Sequence, residues 1–436
     1  MSIPAPRSTI RPAAGGRLSF AYGGLLLFTV LLYLRPYEWL PIGGFPITRI
    51  VALLALGAFF VEQFSDNRPI SVMPREFKYL LALTALMLMS MPFGLDMAAS
   101  FGGFLEEFLK VLLIFVLMIN VVTSFQRLRR LIETMVFCAT FIAVGTLSGF
   151  ASGVNLAEGF RARGVVGGIF GGPNELALAL SMMLPLTIGL AMSNRNLLMR
   201  LLYGAAAACQ VFAALITYSR AGLLTLVAVT GFLLFKLGRR SPQLWAVALV
   251  AVTLILMLAP GEFWNRTLTM FDSSGDASAA QSAETRWALM KRSIEVAGFN
   301  PIRWSLGVGM FNFHIVSVSE YGNHNSYLQV FNEVGAPALI VYLAFLVGVI
   351  RVTGQIGKAC AGLPGYRNIG MMAVAIQASL VAYAVGSFFA HVAYLWYLYY
   401  AAGLAVCLKL LVLSRLRKAK PTEVPRRVWN LRRIRY

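Results

Sequence analysis

Charge is scarce in this chain: 13% of its 436 residues are Asp, Glu, Lys or Arg, against 58% that are hydrophobic. With a mean hydropathy of +0.72, there is too little polar surface to coat a soluble domain of this length. Histidine occurs three times, and the four cysteines, Cys138, Cys209, Cys360 and Cys407, show neither a CxxC pair nor Cys/His spacing. Neither a disulfide framework nor a zinc site is suggested. No Walker A sequence, GxGxxG loop or DxD triplet occurs. Nucleotide-driven transport and metal-assisted transfer from a nucleotide sugar therefore lack their motifs.

What the chain has is a succession of apolar runs, each near the roughly 20 residues that a helix needs to cross a bilayer. They fall at about 18–34, 45–64, 77–93, 104–122, 131–149, 173–192, 201–218, 221–237, 244–260, 327–350, 370–388 and 391–413. The expectation is an all-α polytopic membrane protein of about twelve spans, a single integral membrane domain over 1–436. The first run ends in Arg35-Pro36-Tyr37-Glu38-Trp39 with no small-residue cleavage site, so it reads as a retained span.

The net charge of +20 is distributed by topology. With the amino terminus placed in the cytoplasm, most of the 38 Lys and Arg, including ten from Lys409 onward, fall on the inner side. Both termini are then cytoplasmic, and the basic tail over about 414–436 reads as an anchor beside anionic lipid, with no nucleic-acid partner. Ten cations remain on the outer face, among them Arg161, Arg163, Arg220 and Arg286. These oppose the topological bias and are candidates for chemistry.

The outer side carries one large loop, about 261–325, and two smaller elements. Within the large loop, Asp272-Ser273-Ser274-Gly275-Asp276 has the composition of a turn-rich segment. From Ser282 to Ala297, the residues Trp287, Met290, Ile294 and Ala297 recur at helical spacing, which predicts an amphipathic helix lying on the outer membrane surface or capping a cavity, stopped by Gly298 and Pro301. The loop over 150–172 runs through Arg161 and Arg163 into Gly167-Gly168-Ile169-Phe170-Gly171-Gly172-Pro173-Asn174, with Pro173 suited to a helix start. The shortest element, Tyr218-Ser219-Arg220-Ala221-Gly222, holds Arg220 between two spans.

Each candidate has two readings. Arg220 either snorkels to lipid headgroups or pairs bidentately with a phosphate or diphosphate. Arg286 is either solvated on a surface helix or part of the same anion site, and Arg163 has weaker support. His324, in Asn323-His324-Asn325-Ser326-Tyr327, is either a polar residue at a helix start capped by Asn325 or Ser326, or a neutral imidazole that takes a proton from a hydroxyl. His391 reads as a buried, hydrogen-bonded histidine of the last span, and Glu106, Glu107 and Lys110 as an internal ion pair. Tyr327 and Phe331 suit either sugar stacking or an interfacial aromatic belt.

Taken in order, Gly172-Pro173-Asn174, Ser219-Arg220-Ala221-Gly222, Glu284-Thr285-Arg286-Trp287, Asn300-Pro301, Gly307-Val308-Gly309-Met310-Phe311, His324-Asn325-Ser326-Tyr327 and Glu333-Val334-Gly335 resemble the O-antigen ligase and Wzy-type polymerase superfamily. The family pattern commonly has a second glycine where this chain has Ala221. The resemblance implies a GT-C-like bundle in the bacterial inner membrane, working at the periplasmic face without metal or cofactor. It implies a glycan donor on undecaprenyl diphosphate and a lipid A core, glycan or protein acceptor. Arg220 and Arg286 would hold the diphosphate, with Arg163 or Arg161 as a third contact, and His324 would deprotonate the acceptor; Asn325 and Tyr327 are secondary substrate contacts. Ligase is the first expectation and polymerase the second. A twelve-span transporter or flippase is the alternative from another class; it would show paired, interrupted segments in the two halves, which are not seen.

Overall fold

A computed structural model describes residues 19–38, 46–67, 69–238, 245, 253, 277–298, 300–317 and 322–434. The predicted span at 244–260 and the Asp272–Asp276 stretch lie almost wholly outside these residues.

Leucine-, alanine- and valine-rich sequence with few internal charges leaves the backbone only its own carbonyls as partners in a membrane, and the chain responds with helices. The first six are α1 Phe20–Leu34, α2 Ile47–Ser65, α3 Arg75–Ser90, α4 Met97–Gly103, α5 Leu109–Val121 and α6 Phe125–Ala151. The two-residue strands β1 Leu156–Ala157 and β2 Arg161–Ala162 pair antiparallel. Then come α7 Pro173–Ser193, α8 Leu197–Leu215, α9 Arg220–Leu233, α10 Ala277–Gly298, α11 Pro301–Leu306 and α12 Phe313–Val316. The chain continues with α13 Ser326–Val334, α14 Ala336–Cys360, α15 Arg367–Gly386, α16 Trp396–Lys418 and α17 Arg426–Trp429. Among the described residues nine helices are long and apolar enough to cross a membrane, and α1 is shorter. The protein is an all-α polytopic membrane protein.

Burial sorts these helices into a centre and a periphery. The apolar window of α16 is 94% buried and that of α7 is 78% buried, whereas that of α2 is 17% buried. Leu53, Leu54, Val61 and Phe64 of α2 are exposed, as suits a lipid-facing helix.

Two expectations are corrected, at 327–350 and at Glu106, Glu107 and Lys110. The run at 327–350 is two helices, α13 and α14, broken at Gly335, because φ at Gly335 is 95° and Pro337 starts the next helix. Gly307, with φ of 71°, packs its backbone onto Glu333, while Gly335 packs onto Ser305; a Cβ at either would lie 2.3 Å from main-chain atoms. Val308 N–H donates to Asn332 O at 2.8 Å and Gly309 N–H to Glu333 O at 3.0 Å, so the two glycine turns interlock. In α10 the buried stripe is Leu289, Ser293 and Val296, and Trp287 and Ile294 are exposed on another face of the helix. No ion pair joins Glu106 or Glu107 to Lys110 among the described residues; the three line a cavity between α1, α2 and α5 with Arg35 and Arg49.

Lys409, grouped by sequence with the basic tail, lies inside α16. Its ammonium donates to both carboxylate oxygens of Glu76 at 2.9 and 2.7 Å, with both side chains buried. The tail itself folds back on the bundle, burying Val424, Val428 and Leu431.

Candidate functional site

Four segments far apart in sequence meet at the end of the bundle where α7, α9 and α13 begin. The first is the hairpin. Arg161 in β2 donates through Nε to Thr217 O at 3.1 Å, through Nη1 to Glu158 at 2.9 Å and through Nη2 to Asn174 Oδ1 at 3.1 Å. Ala162 N–H adds a bond to Ile216 O at 3.0 Å. The hairpin is thus pinned to the α8–α9 turn.

The second segment is that turn. Ser219 caps α9, its hydroxyl accepting from Gly222 N–H at 3.1 Å, and donates to Asn174 Oδ1 at 2.7 Å. Asn174, second residue of α7, therefore ties Arg161 to the residue preceding Arg220. Arg220 is the first residue of α9, where the helix end is itself positive. A guanidinium there is stabilised by an anion.

The third is α10, which brings Arg286. Burial pushes this guanidinium below its ordinary pKa range, and the charges of Arg220 and then Arg161 push it the same way. The helix is held by Ser293, two turns on, whose buried hydroxyl donates to Asn323 Oδ1 at 2.7 Å. Arg292 Nε also donates to Val316 O at 2.8 Å.

The fourth is the turn into α13. Asn325 caps this helix, accepting from Tyr327 N–H at 2.9 Å and Leu328 N–H at 3.0 Å. Ser326 and Gln329 anchor it to the turn before α16: Ser326 Oγ donates to Ala390 O at 2.8 Å and accepts from Val392 N–H at 3.0 Å, and Gln329 Oε1 accepts from Ala393 N–H at 3.1 Å. His324 has φ of 45°, a left-handed conformation uncommon outside glycine. Burial lowers the His324 pKa below the usual 6.5, Arg286 lowers it further, and Glu175 opposes both. The net effect favours the neutral imidazole.

The structure thus places Arg161, Arg220 and His324 each within electrostatic reach of Arg286. Arg163 is exposed, with its backbone N–H bonded to Asn155 O at 2.9 Å. Asn325 spends its side chain on the helix cap. Tyr327 donates its hydroxyl to Ala384 O at 2.7 Å and packs its ring against Tyr342 and Phe388.

Sequence reasoning passed over Glu175 and misplaced His391. Glu175 follows the Gly172-Pro173-Asn174 motif directly and sits in the first turn of α7, which is the signal that identifies it. His391 lies in the turn before α16 rather than inside that span. Burial first, and then His324, press it down to about 4. Its Nδ1 is buried with no hydrogen-bond partner among the described residues. Glu333 is fully buried in α13, and burial raises its carboxyl to about 7.

Residues 205–343 match the family model described as O-antigen ligase, so this part of the chain is similar to that family. The matched region includes Arg220, Arg286 and His324; Arg161, Asn174 and Glu175 lie before it. No curated protein and no solved structure matches the chain.

Proposed function

We propose that the protein moves a glycan from undecaprenyl diphosphate to an acceptor hydroxyl at the periplasmic face of the inner membrane, as an O-antigen ligase, without a divalent metal. The reading rests on the convergence of Arg161, Arg220 and Arg286 from three separate segments beside an unprotonated His324. The acceptor oxygen attacks the anomeric carbon of the donor sugar. As that bond forms, the bond from the anomeric carbon to the phosphate oxygen breaks. The electron pair leaves with the lipid diphosphate, and the hydroxyl proton passes to His324. Charge grows on the leaving diphosphate, and guanidinium groups already in place offset it without reorganisation. Glu175 stabilises the imidazolium that results, because its negative charge raises the imidazole pKa.

The test is reconstitution of the full chain with undecaprenyl-diphosphate-linked glycan and lipid A core in buffer containing EDTA. Glycan on lipid A core with release of undecaprenyl diphosphate is the expected product. Lengthening of the carrier-linked glycan, with lipid A core left bare, would instead make the protein a Wzy-type polymerase working through the same residues. Movement of intact carrier-linked glycan across the bilayer, with no new glycosidic bond, would return it to the transporters.

A further inference from the structure

At the opposite end of α14 from the candidate site lies a cavity of about 850 Å³ between α3, α14 and the folded-back tail. One part is cationic: Arg75 of α3, Arg351 and Lys358 of α14, and Arg427 and Arg433 of the tail line it. The carboxylate among its lining residues, Glu76, is already engaged by Lys409 at 2.7 Å. Among the described residues none of the five cations enters an ion pair; Arg75 donates to the hydroxyl of Tyr79. Five like charges around a cavity repel one another and call for an anion.

The other part is apolar and runs toward the middle of α14, where Ala344, Val347 and Gly348 face Tyr79. A Cβ on Gly348 would find only Tyr79, at 3.9 Å, so the wall is open there. A cationic mouth continuous with an apolar channel along a membrane-spanning helix matches an amphiphile with a phosphate head and hydrocarbon tails. The 25 residues of α14 span about 37 Å, so a headgroup at Lys358 is a bilayer thickness from His324. It cannot be a reacting diphosphate.

We infer that this cavity binds an acidic phospholipid, its phosphodiester held by Arg351, Lys358 and the tail arginines and an acyl chain laid along Ala344 to Gly348. The lipid then bridges α14 to the tail, adding to the burial of Val424, Val428 and Leu431 and to the bond from Arg432 to Leu416 O.

The experiment follows thermal unfolding of the delipidated full chain in neutral detergent during titration with phosphatidylglycerol, phosphatidylcholine, undecaprenyl diphosphate or inorganic phosphate. Phosphatidylglycerol is expected to raise the midpoint by roughly 5 °C, with phosphatidylcholine and phosphate ineffective. The gain is expected to vanish in Arg351→Gln/Lys358→Gln. Gly348→Leu, which fills the channel and leaves all five charges, is expected to reduce retained phosphatidylglycerol at least fivefold in native mass spectrometry, a readout that stands even if the double variant does not fold. Equal stabilisation by phosphatidylcholine, or by phosphate alone, overturns the inference. So does undiminished lipid retention in Gly348→Leu, or a stronger effect of undecaprenyl diphosphate through the same residues.

Discussion

The hydroxyl of Ser293 donates to Oδ1 of Asn323 at 2.7 Å, both side chains are buried, and the bond joins the helix carrying Arg286 to the turn carrying His324. Loss of the Ser293 hydroxyl leaves a buried amide oxygen short of a donor, at a cost of about 1–3 kcal/mol. Ser293→Ala is expected to lower glycan transfer about tenfold. As Arg286 draws away from His324, the acid limb of the pH–rate profile moves up toward 6.5. Ser293→Thr, which keeps the hydroxyl, is expected to recover much of the rate; a profile unchanged in Ser293→Ala would separate this bond from the site.

Arg161 and Arg163 stand two residues apart, yet only Arg161 is tied to Asn174 and lies within electrostatic reach of Arg286. Arg161→Gln is expected to reduce transfer by roughly tenfold to a hundredfold. Arg163→Gln, at an exposed position, should stay within about twofold of the parent. Equal losses in an initial-rate comparison would count against the placement of Arg161.

His324 has a lowered pKa, so its base form is favoured at pH 7 and is lost as pH falls through a value below 6.5. The rate should therefore fall on the acid side only below that point. Arg286→Gln removes a charge that depresses the imidazole, so the acid limb should move to higher pH. Glu175→Gln removes a charge that raises it, so the limb should move to lower pH. Shifts of the same sign in the two variants would show that another group is titrating.

Lys409 and Glu76 form a buried ion pair across α16 and α3. Glu76→Gln leaves an ammonium buried without its counter-charge and is expected to cost about 3–5 kcal/mol. Glu76→Gln combined with Lys409→Met should recover most of that. Thermal unfolding of the singles and the double gives the coupling, and additive losses would speak against a direct pair.

The bundle was legible because span-length apolar runs and loop glycines announce themselves locally. His324, Arg220 and Arg286 stood out because a charged or titratable side chain at a span boundary is expensive and rare. Glu175 did not, since a carboxylate in the first turn of a helix is already explained by the helix dipole. The pairing of Lys409 with Glu76, 333 residues apart, and the packed face of α10 are decided by which helices become neighbours. In α10 the stripe through Trp287 is the more apolar, whereas the packed stripe through Leu289 includes Ser293, whose partner Asn323 lies 30 residues away. Gly335 broke a run that hydropathy reads as continuous, because the cause is the close approach of the turn at Ser305 to Gly307.

The most direct measurement of the central claim is single-turnover transfer from undecaprenyl-diphosphate-linked glycan by purified, folded His324→Ala and Arg220→Ala beside the parent protein. A loss of about a hundredfold or more in each, with the donor still bound by His324→Ala and bound more weakly by Arg220→Ala, is the expected result. Transfer at the parental rate by folded His324→Ala would contradict it.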